Sequence, residues 1–173
     1  MKAYTSNNIR NIAVLGHGGK GKTTLCEAML YLAGATDRLG KVADGNTVLD
    51  FDAEEKKRKS SVSSAMAAIE WDNTKLNIID APGLFDFENG SAEAVRAAEA
   101  VLIVTSAGSG VDVGTEKAFK AAEKRGLAKF FAITKTDSDH RSFYKTFEAL
   151  KEVYGNKLCP TIIPYMEGNV TKS

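Results

Sequence analysis

One stretch near the start of the chain constrains its fold more than any other, the run GHGGKGKT at residues 16–23. Its spacing, G-x-x-x-x-G-K-T, is that of a phosphate-binding loop between a buried strand and a helix. The apolar run ending at Leu15 predicts the strand over 11–15, and the helical spacing after Lys22 predicts a helix to about Ala33. This context favours a nucleotide-binding loop over a glycine-rich turn that binds nothing.

Each part of this loop suits a bound phosphate chain. Glycines let the backbone turn tightly and point N–H groups inward, and the following helix adds its positive N-terminal end. Lys22 is placed to reach the β- and γ-phosphates, and the Thr23 hydroxyl is placed to bind Mg²⁺. The predicted nucleotide-binding residues of this loop are His17, Gly18, Gly19, Lys20, Gly21, Lys22, Thr23 and Thr24.

Length, charge and cysteine content narrow the class of protein. The 173 residues suit one domain with a full core, and the net charge of +1 gives no overall argument for binding nucleic acid or a membrane surface. No apolar run is long enough to cross a bilayer, and the polar start does not read as a signal peptide. Cys26 and Cys159 lack metal-type neighbours, which favours reduced thiols in a cytosolic protein. We therefore expect a cytoplasmic protein with no membrane partner and no sequence-specific nucleic-acid partner.

Apolar runs alternate with helical patterns along the rest of the chain. Strands are predicted at 65–71, 75–79, 101–104, 130–133 and 160–165. Helices are predicted at 91–99, 114–125 and 141–154, and Ser91 and Thr115 are the predicted caps of the first two. Residues 167–173 are predicted to be frayed. The short turn at 73–74 predicts an antiparallel hairpin. The alternation elsewhere favours a parallel sheet, so the predicted fold is the α/β three-layer sandwich of P-loop NTPases, mostly parallel with one antiparallel strand and with helices on both faces.

The connection from Ala35 to Ser64 shows no firm element. It is polar, contains four aspartates, and ends in the charge run EEKKRK at 54–59. A connection of this length inside a compact domain is usually functional or disordered. We therefore expect a mobile, switch-like segment, with a plain solvated insertion as the alternative.

The DAPG sequence at 80–83 follows a predicted strand directly, at the sheet edge where ligands bind in open α/β folds. Asp80 fits the acidic residue that holds Mg²⁺ directly or through water in phosphate-loop nucleotidases. The N–H of Gly83 can meet a γ-phosphate, because glycine lets the backbone come close. Alone, the motif also fits a Pro-Gly turn; together with the phosphate loop it favours a nucleotide site.

The TKTD sequence at 134–137 is the candidate base-binding loop. The Asp137 carboxylate can accept hydrogen bonds from guanine N1–H and from the 2-amino group, a donor pair that adenine lacks. The stem of Lys135 can lie over the purine ring, and Thr134 begins the loop at the end of the strand. In isolation these four residues also fit a polar loop after a strand.

The order of these motifs resembles the GTPase domain of elongation factor G, and in particular its elongation-factor-G-like and tetracycline-resistance branch. The likeness runs from about Arg10 to Pro164. It rests on GHGGKGKT, KRKSSVSSA, DAPG and TKTD, together with RNI at 10–12, GNT at 45–47, NIID at 77–80 and GVDVGTEK at 110–117. The resemblance implies GTP or GDP as the ligand, Mg²⁺ as the cofactor, and the ribosome as a partner of the parent protein.

The same resemblance implies roles for single residues. Ser61 falls where the family has the switch threonine that binds Mg²⁺ and senses the γ-phosphate, so the implied metal ligands are Thr23, Ser61 and Asp80. Lys22 is the implied catalytic residue, since it would neutralise phosphate charge in the transition state. The basic run at 56–59 would contact ribosomal RNA phosphates or form a solvated face.

Departures from the family pattern concern hydrolysis more than binding. Leu84 stands where the family's DxPGH has the histidine that is understood to position the attacking water. Gly18, Gly19 and Ser60 replace an aliphatic residue, an aspartate and an isoleucine, and Thr134 replaces the asparagine of NKxD, which predicts looser loop contacts and weaker guanine affinity. We expect a GTPase that binds GTP better than it hydrolyses it. The alternatives are a regulatory module with little or no hydrolysis and an ATPase of another phosphate-loop lineage.

By the resemblance, residues 1–173 form a single GTP-binding domain. The family continues through an inserted subdomain, a last strand with a base-binding motif, and further domains. We expect the chain to end before these parts, with an edge strand of the sheet missing and the base pocket incomplete.

Overall fold

The apolar runs of the sequence form the strands of a central sheet in the computed structural model, which describes residues 3–137, 142–167 and 170–172. The elements are β1 (Ile9–Leu15), α1 (Lys22–Leu32), α2 (Ala53–Arg58), β2 (Ala65–Trp71), β3 (Thr74–Asp80), α3 (Glu88–Ala97), β4 (Ala100–Ser106), α4 (Val113–Lys124), β5 (Ala128–Thr134), α5 (Phe143–Tyr154), β6 (Tyr165–Glu167) and β7 (Val170–Lys172). Short 3₁₀ turns lie at Ser6–Asn8, Val42–Asp44, Phe85–Phe87 and Gly155–Lys157.

The sheet has the strand order β2-β3-β1-β4-β5. Strand β1 pairs in parallel with β3 and β4, and β4 pairs in parallel with β5. Only β2 runs antiparallel, with Trp71 opposite Thr74 across a two-residue turn. Asp72 and Asn73 form that turn at φ values of 45° and 56°, which short polar residues tolerate best. The predicted mostly parallel α/β sheet with one antiparallel hairpin is confirmed.

Alternate residues of the strands are buried in two separate hydrophobic cores. Ala13 and Leu15 of β1 belong to a cluster that includes residues of α3 and α4, whereas Val14 belongs to a cluster with Cys26 and Leu30 of α1. Helices therefore cover both faces of the sheet, and β1 lies at the centre. Burying a side chain such as Val14 stabilises the fold by about 1.5–3 kcal/mol. The phosphate loop starts from the buried end of this central strand.

The prediction of no firm element between residues 35 and 64 is wrong, because helix α2 lies there. Its N-terminus is a capping box: the Asp52 side chain accepts from Glu54 N–H, and the Glu55 side chain accepts from Asp52 N–H. A helix of six residues is too short to show an apolar period, so the local capping chemistry was its only sequence signal.

Two predicted helix caps are also wrong. Helix α3 begins at Glu88 rather than Ser91, and the Ser91 hydroxyl donates instead to Pro82 O at 3.0 Å. Helix α4 is capped by Asp112, whose carboxylate accepts from Thr115 N–H at 2.9 Å. In both cases the hydroxyl lies inside the first turns, where it finds another partner.

The end of the chain departs from the prediction as well. Residues 160–164 are not a strand, since Pro160 and Pro164 have no N–H to donate to a sheet. A two-stranded antiparallel hairpin of β6 and β7 follows. The prediction of a frayed end at 167–173 is therefore wrong for β7. Residues 168–169 and 173 lie outside the described residues. Helix α5 begins at Phe143, capped by Ser142, and Arg141 of the predicted start is likewise outside them. Among the described residues no helix has the length and apolar character needed to cross a membrane.

Candidate nucleotide-binding site

The phosphate loop leaves the centre of the sheet at Gly16 and enters helix α1 at Gly21. Gly16 has φ +137° and passes so close to β4 that a Cβ there would overlap Val104 O. Gly21 is the N-cap of α1 at φ +89°, another conformation that favours glycine. Backbone packing therefore holds the loop at Gly16, where a side chain would force a shift, whereas at Gly21 the backbone conformation is what favours glycine.

Lys22 is the first residue of α1, and its side chain is buried beneath the loop. Its Nζ donates to Gly16 O and His17 O, each at 3.0 Å, and only 6% of the residue is exposed. Burial lowers the pKa of Lys22, while the nearby Asp80 carboxylate opposes that shift. Gly83 lies directly against it, because a Cβ at Gly83 would overlap Nζ and come within 2.8 Å of Gly18 N. DAPG and the phosphate loop therefore meet at the lysine ammonium, as the sequence predicts.

Four oxygen-bearing side chains converge beside Lys22. Thr23 Oγ1 donates to Asp80 Oδ2 at 2.6 Å, and Ser61 Oγ donates to Asp50 Oδ1 at 2.7 Å. The two hydroxyl oxygens are 3.1 Å apart. Since each hydroxyl gives its only proton to a carboxylate, both oxygens keep lone pairs that a cation can use. The three residues predicted to bind metal are therefore together, and Asp50 joins them.

Two carboxylate oxygens of this cluster have no hydrogen-bond partner among the described residues. They are Asp80 Oδ1 and Asp50 Oδ2, in residues that are 1% and 3% exposed. Burial raises the pKa of Asp80 to about 7, against the opposing effects of Thr23 and Lys22, and burial also raises the pKa of Asp50. A buried acceptor without a donor is costly, so a cation or a donor that contacts these two oxygens would stabilise the cluster.

Two fully buried glutamates position the segment that carries Asp50 and Ser61. Glu27 Oε1 of α1 accepts the N–H groups of Val48 and Leu49 at 2.8 and 3.0 Å. Glu55 Oε1 of α2 accepts the N–H groups of Val62 and Ser63 at 2.9 and 3.1 Å. Neither glutamate is predicted as a site residue from the sequence.

The only sequence signal for Glu27 is a charged residue on an otherwise apolar helix face, and Glu55 lies inside a charge run that reads as solvated. Asp50 carried no signal beyond being one of four aspartates in a polar stretch. These three positions become recognisable only when their burial is known.

The TKTD loop packs against the other side of the phosphate loop. The Thr134 hydroxyl lies 2.7 Å from Lys20 O, to which it donates, and Lys135 Nζ donates to Gly19 O at 2.7 Å. The Thr134 hydroxyl therefore joins the end of β5 to the phosphate loop, and the expectation that its contacts are looser than those of asparagine stays a prediction. Asp137 follows as an exposed residue of the same loop.

The groups converge on a cleft of about 220 Å³. It is lined by Gly18, Gly19, Gly21, Lys22, Thr23, Thr24, Val42, Asp50, Lys59, Ser60, Ser61, Gly83 and Lys135. Asp80 lies behind this wall. Thr134 and Asp137 do not line the cleft, although they belong to the same TKTD loop as Lys135, which does.

Two predicted loop residues point their side chains away from the cleft. Lys20 Nζ lies 3.2 Å from Asp112 Oδ2 and donates to Ser109 Oγ at 2.7 Å. The His17 ring packs against Phe85 with centroids 5.5 Å apart. Both residues can therefore contribute only backbone groups to a phosphate chain in this arrangement.

Leu84 covers the loop at the position of the family's histidine. Its side chain is 37% exposed, and its Cδ2 would lie 2.9 Å from a Cβ at Gly18. The absence of a side chain at Gly18 therefore makes room for Leu84. An isobutyl group has no donor or acceptor with which to orient water.

Comparison with known proteins identifies the family. The family described as the elongation factor Tu GTP binding domain matches residues 7–169. An elongation factor G-like protein of Mycobacterium tuberculosis is 35% identical over 160 residues, which are 92% of this chain and 22% of that protein. The mitochondrial ribosome-releasing factor 2 of Debaryomyces hansenii is 35% identical over 167 residues, 96% of this chain and 19% of that protein.

Comparison with solved structures also finds proteins that are similar to this chain in fold and in sequence. A crystal structure of a Thermus thermophilus protein has a TM-score of 0.89 at 38% identity, covering 94% of this chain and 24% of the other. The bacterial selenocysteine-specific elongation factor has a TM-score of 0.68 at 26% identity, covering 83% of this chain and 23% of the other. The chain spans about a fifth of the length of the curated relatives described here. It belongs to the elongation factor Tu GTP-binding domain family and is a GTP-binding domain of the kind found in elongation factor G-like translation factors.

Proposed function

We propose that this domain binds GTP together with Mg²⁺ and hydrolyses it to GDP and phosphate, as one domain of a longer translation factor that acts at the ribosome. The observation that carries the proposal is the oxygen cluster beside Lys22, formed by Thr23, Ser61, Asp80 and Asp50. The printed names of the relatives, an elongation factor G-like protein and a ribosome-releasing factor, support the ribosome as partner.

The residues of the cluster fit Mg²⁺. This ion prefers oxygen ligands, keeps several waters, and is usually held by one or two carboxylates together with substrate phosphates. Thr23 and Ser61 offer hydroxyl oxygens, and Asp80 and Asp50 offer the buried oxygens that lack a partner.

The chain's own residues supply the rest of the chemistry. Lys22 Nζ now donates to two loop carbonyls, and with GTP bound it would turn to the β- and γ-phosphate oxygens. A water then attacks the γ-phosphorus as the bond to the β–γ bridging oxygen breaks, and GDP leaves with that oxygen. Bound Mg²⁺ would neutralise charge on the same phosphates. Lys22 and the N–H of Gly83 stabilise the developing charge, which is the main form of catalysis in this reaction class.

Guanine selection is proposed for the TKTD loop. The Asp137 carboxylate accepts from the two N–H donors on the Watson–Crick edge of guanine, and the stem of Lys135 covers the ring. The hydrogen bonds from Thr134 and Lys135 to the phosphate loop support this, because they keep the base and phosphate sites at a constant separation.

Nucleotide titration tests the ligand and the metal together. We expect GTP and GDP to bind at least about 10-fold more tightly than ATP, because adenine leaves the Asp137 carboxylate unpaired. We expect removal of Mg²⁺ to weaken GTP binding in the wild type, and Asp80→Asn to abolish most of that dependence. Asp37→Asn, an exposed position in the 35–64 segment, is the matched control. Equal affinity for GTP and ATP would contradict the guanine proposal, and full Mg²⁺ dependence in Asp80→Asn would contradict the metal site.

Single-turnover hydrolysis, measured as phosphate release with and without ribosomes, tests the catalytic proposal. We expect slow release that ribosomes accelerate, because Leu84 cannot orient the attacking water. Leu84→His should raise the ribosome-stimulated rate by about 10-fold or more, the usual contribution of a well-placed polar group. Leu84→Met keeps an apolar side chain of similar volume and should leave the rate unchanged. No phosphate release from any variant, with ribosomes present, would mean that the domain only binds nucleotide.

A further inference from the structure

We propose that Lys59 is a second phosphate-binding lysine, whose ammonium group contacts the terminal phosphate of GTP and so favours GTP over GDP. The inference rests on the proposed function, because it assumes that the cleft holds a nucleotide with Mg²⁺. It concerns a residue that lines the cleft without belonging to the phosphate loop and that has no role in the mechanism described above.

Lys59 lines the same cleft as the phosphate loop. It is the C-cap of α2 and precedes Ser60 and Ser61, and all three residues line the same cleft as Lys22 and Gly83. Ser61 is held to Asp50, so Lys59 lies two residues from the cation site. A cation at this position is near the γ-phosphate end of a nucleotide whose phosphates contact Lys22.

The backbone of Lys59 is unusual for a lysine. Its φ is +53°, in the left-handed region that glycine normally occupies at a helix C-cap. Among the described residues, four that are not glycine have positive φ, and two of them, Asp72 and Asn73, form the hairpin turn. The other two are Lys59 and Lys135, and both line the nucleotide cleft.

An energetically unfavourable conformation that coincides with a ligand site indicates a functional side chain. Glycine at this position would relieve the strain but would also remove the charge. The side chain kept at this strained position ends in an ammonium group and lines the cleft, as does that of Lys135.

The charge of Lys59 is available for a ligand. Arg58, its neighbour in the basic run, pairs with Glu54 at 2.6 Å, whereas no carboxylate of the described residues lies within ion-pair distance of Lys59. GTP carries one more phosphate than GDP and with it more negative charge. A cation that contacts only that phosphate therefore stabilises the GTP complex and leaves GDP nearly unaffected.

A purely structural role for Lys59 makes a different prediction. A lysine at a helix C-terminus also interacts favourably with the helix dipole and with the last carbonyl groups. If this were its only role, its removal would lower the stability of the free protein and would weaken GTP and GDP binding equally. The ratio of the GTP and GDP affinities therefore distinguishes phosphate binding by Lys59 from a purely structural role.

The test compares Lys59→Ala, Lys59→Gly and Lys59→Arg with Lys57→Ala, an exposed lysine of α2 that does not line the cleft. Affinities for GTP, as its slowly hydrolysed thiophosphate analogue, and for GDP are measured with Mg²⁺, together with thermal unfolding of the free protein. We expect Ala and Gly to weaken binding of the GTP analogue about 5- to 20-fold and GDP less than about 2-fold, an effect of the size expected for one partly screened charge contact. Arg should keep most of the affinity, and Lys57→Ala should change neither nucleotide.

The outcomes separate this inference from the function on which it rests. If the wild type binds both nucleotides but Lys59→Ala leaves the ratio of affinities unchanged, the role of Lys59 is overturned and the proposed function stands. If the wild type binds neither nucleotide, the role of Lys59 and the proposed function are both overturned. Lys59→Gly supplies an independent check, since it should raise thermal stability by relieving the backbone while it still lowers the preference for GTP.

Discussion

Replacing Lys22 with methionine is expected to reduce GTP and GDP affinity by at least about 100-fold, the size of effect for a buried charge that contacts phosphate. Methionine fills nearly the same volume beneath the loop but cannot donate to phosphate oxygens. Because burial already disfavours the lysine charge in the free protein, the substitution should not destabilise the fold and should leave the far-ultraviolet circular dichroism spectrum unchanged. Isothermal titration with both nucleotides measures the affinity.

The matched control is Lys124→Met, which removes an exposed lysine from the last turn of α4. It should bind nucleotide as the wild type does. Nucleotide binding by Lys22→Met within a few-fold of the wild-type affinity would contradict the phosphate-binding role of this lysine and, with it, the assignment of the cleft.

Replacing Gly16 with alanine is expected to lower the free energy of unfolding by about 3 kcal/mol or more, from the sum of overpacking and backbone strain. Its φ of +137° is a conformation that side chains rarely adopt, and a Cβ there would overlap the backbone oxygen of Val104 in β4. Neither β1 nor β4 can move away, because both are central strands of the sheet. For a domain of this size the loss corresponds to a fall in melting temperature of roughly 6–12 °C.

Gly126→Ala is the control for this prediction. Gly126 also has positive φ, +64°, but a Cβ there meets nothing within 4 Å. It should lose only about 1 kcal/mol, the cost of a side chain in the left-handed region. Equal destabilisation by the two substitutions, measured by urea or thermal unfolding, would show that close packing of the phosphate loop against β4 contributes nothing.

Local patterns predicted the sheet because burial and periodicity are properties of neighbouring residues. The runs at 65–71 and 75–79 identify the hairpin to within a residue of its observed bounds, since a short turn between apolar strands leaves few alternatives. Helix α2 and the cap of α4 escaped prediction because they depend on a few local hydrogen bonds that the carboxylates of Asp52 and Asp112 accept. Such bonds leave no period in the sequence.

The contact made by Thr134 illustrates what residue types alone leave open. Comparison with the family's asparagine predicts looser contacts, because one hydroxyl has fewer donors than an amide. In the fold, the hydroxyl of Thr134 lies 2.7 Å from Lys20 O, so a single donor is enough for the contact that joins the two loops. Distances between loops that are far apart in sequence cannot be read from residue types.

By itself the sequence predicted a phosphate loop between a strand and a helix that ends in Lys22 and Thr23, and a second motif with Asp80 and Gly83 at the same edge of the sheet. These residues are recognisable because the chemistry of phosphate demands particular side chains at a constant spacing. Only the tertiary structure decided that Asp50 joins the oxygen cluster, that buried Glu27 and Glu55 hold its segment in place, and that Lys59 lines the cleft. The physical reason is that the burial of a charged side chain, and its place beside a cleft, depend on contacts between parts of the chain that are distant in sequence.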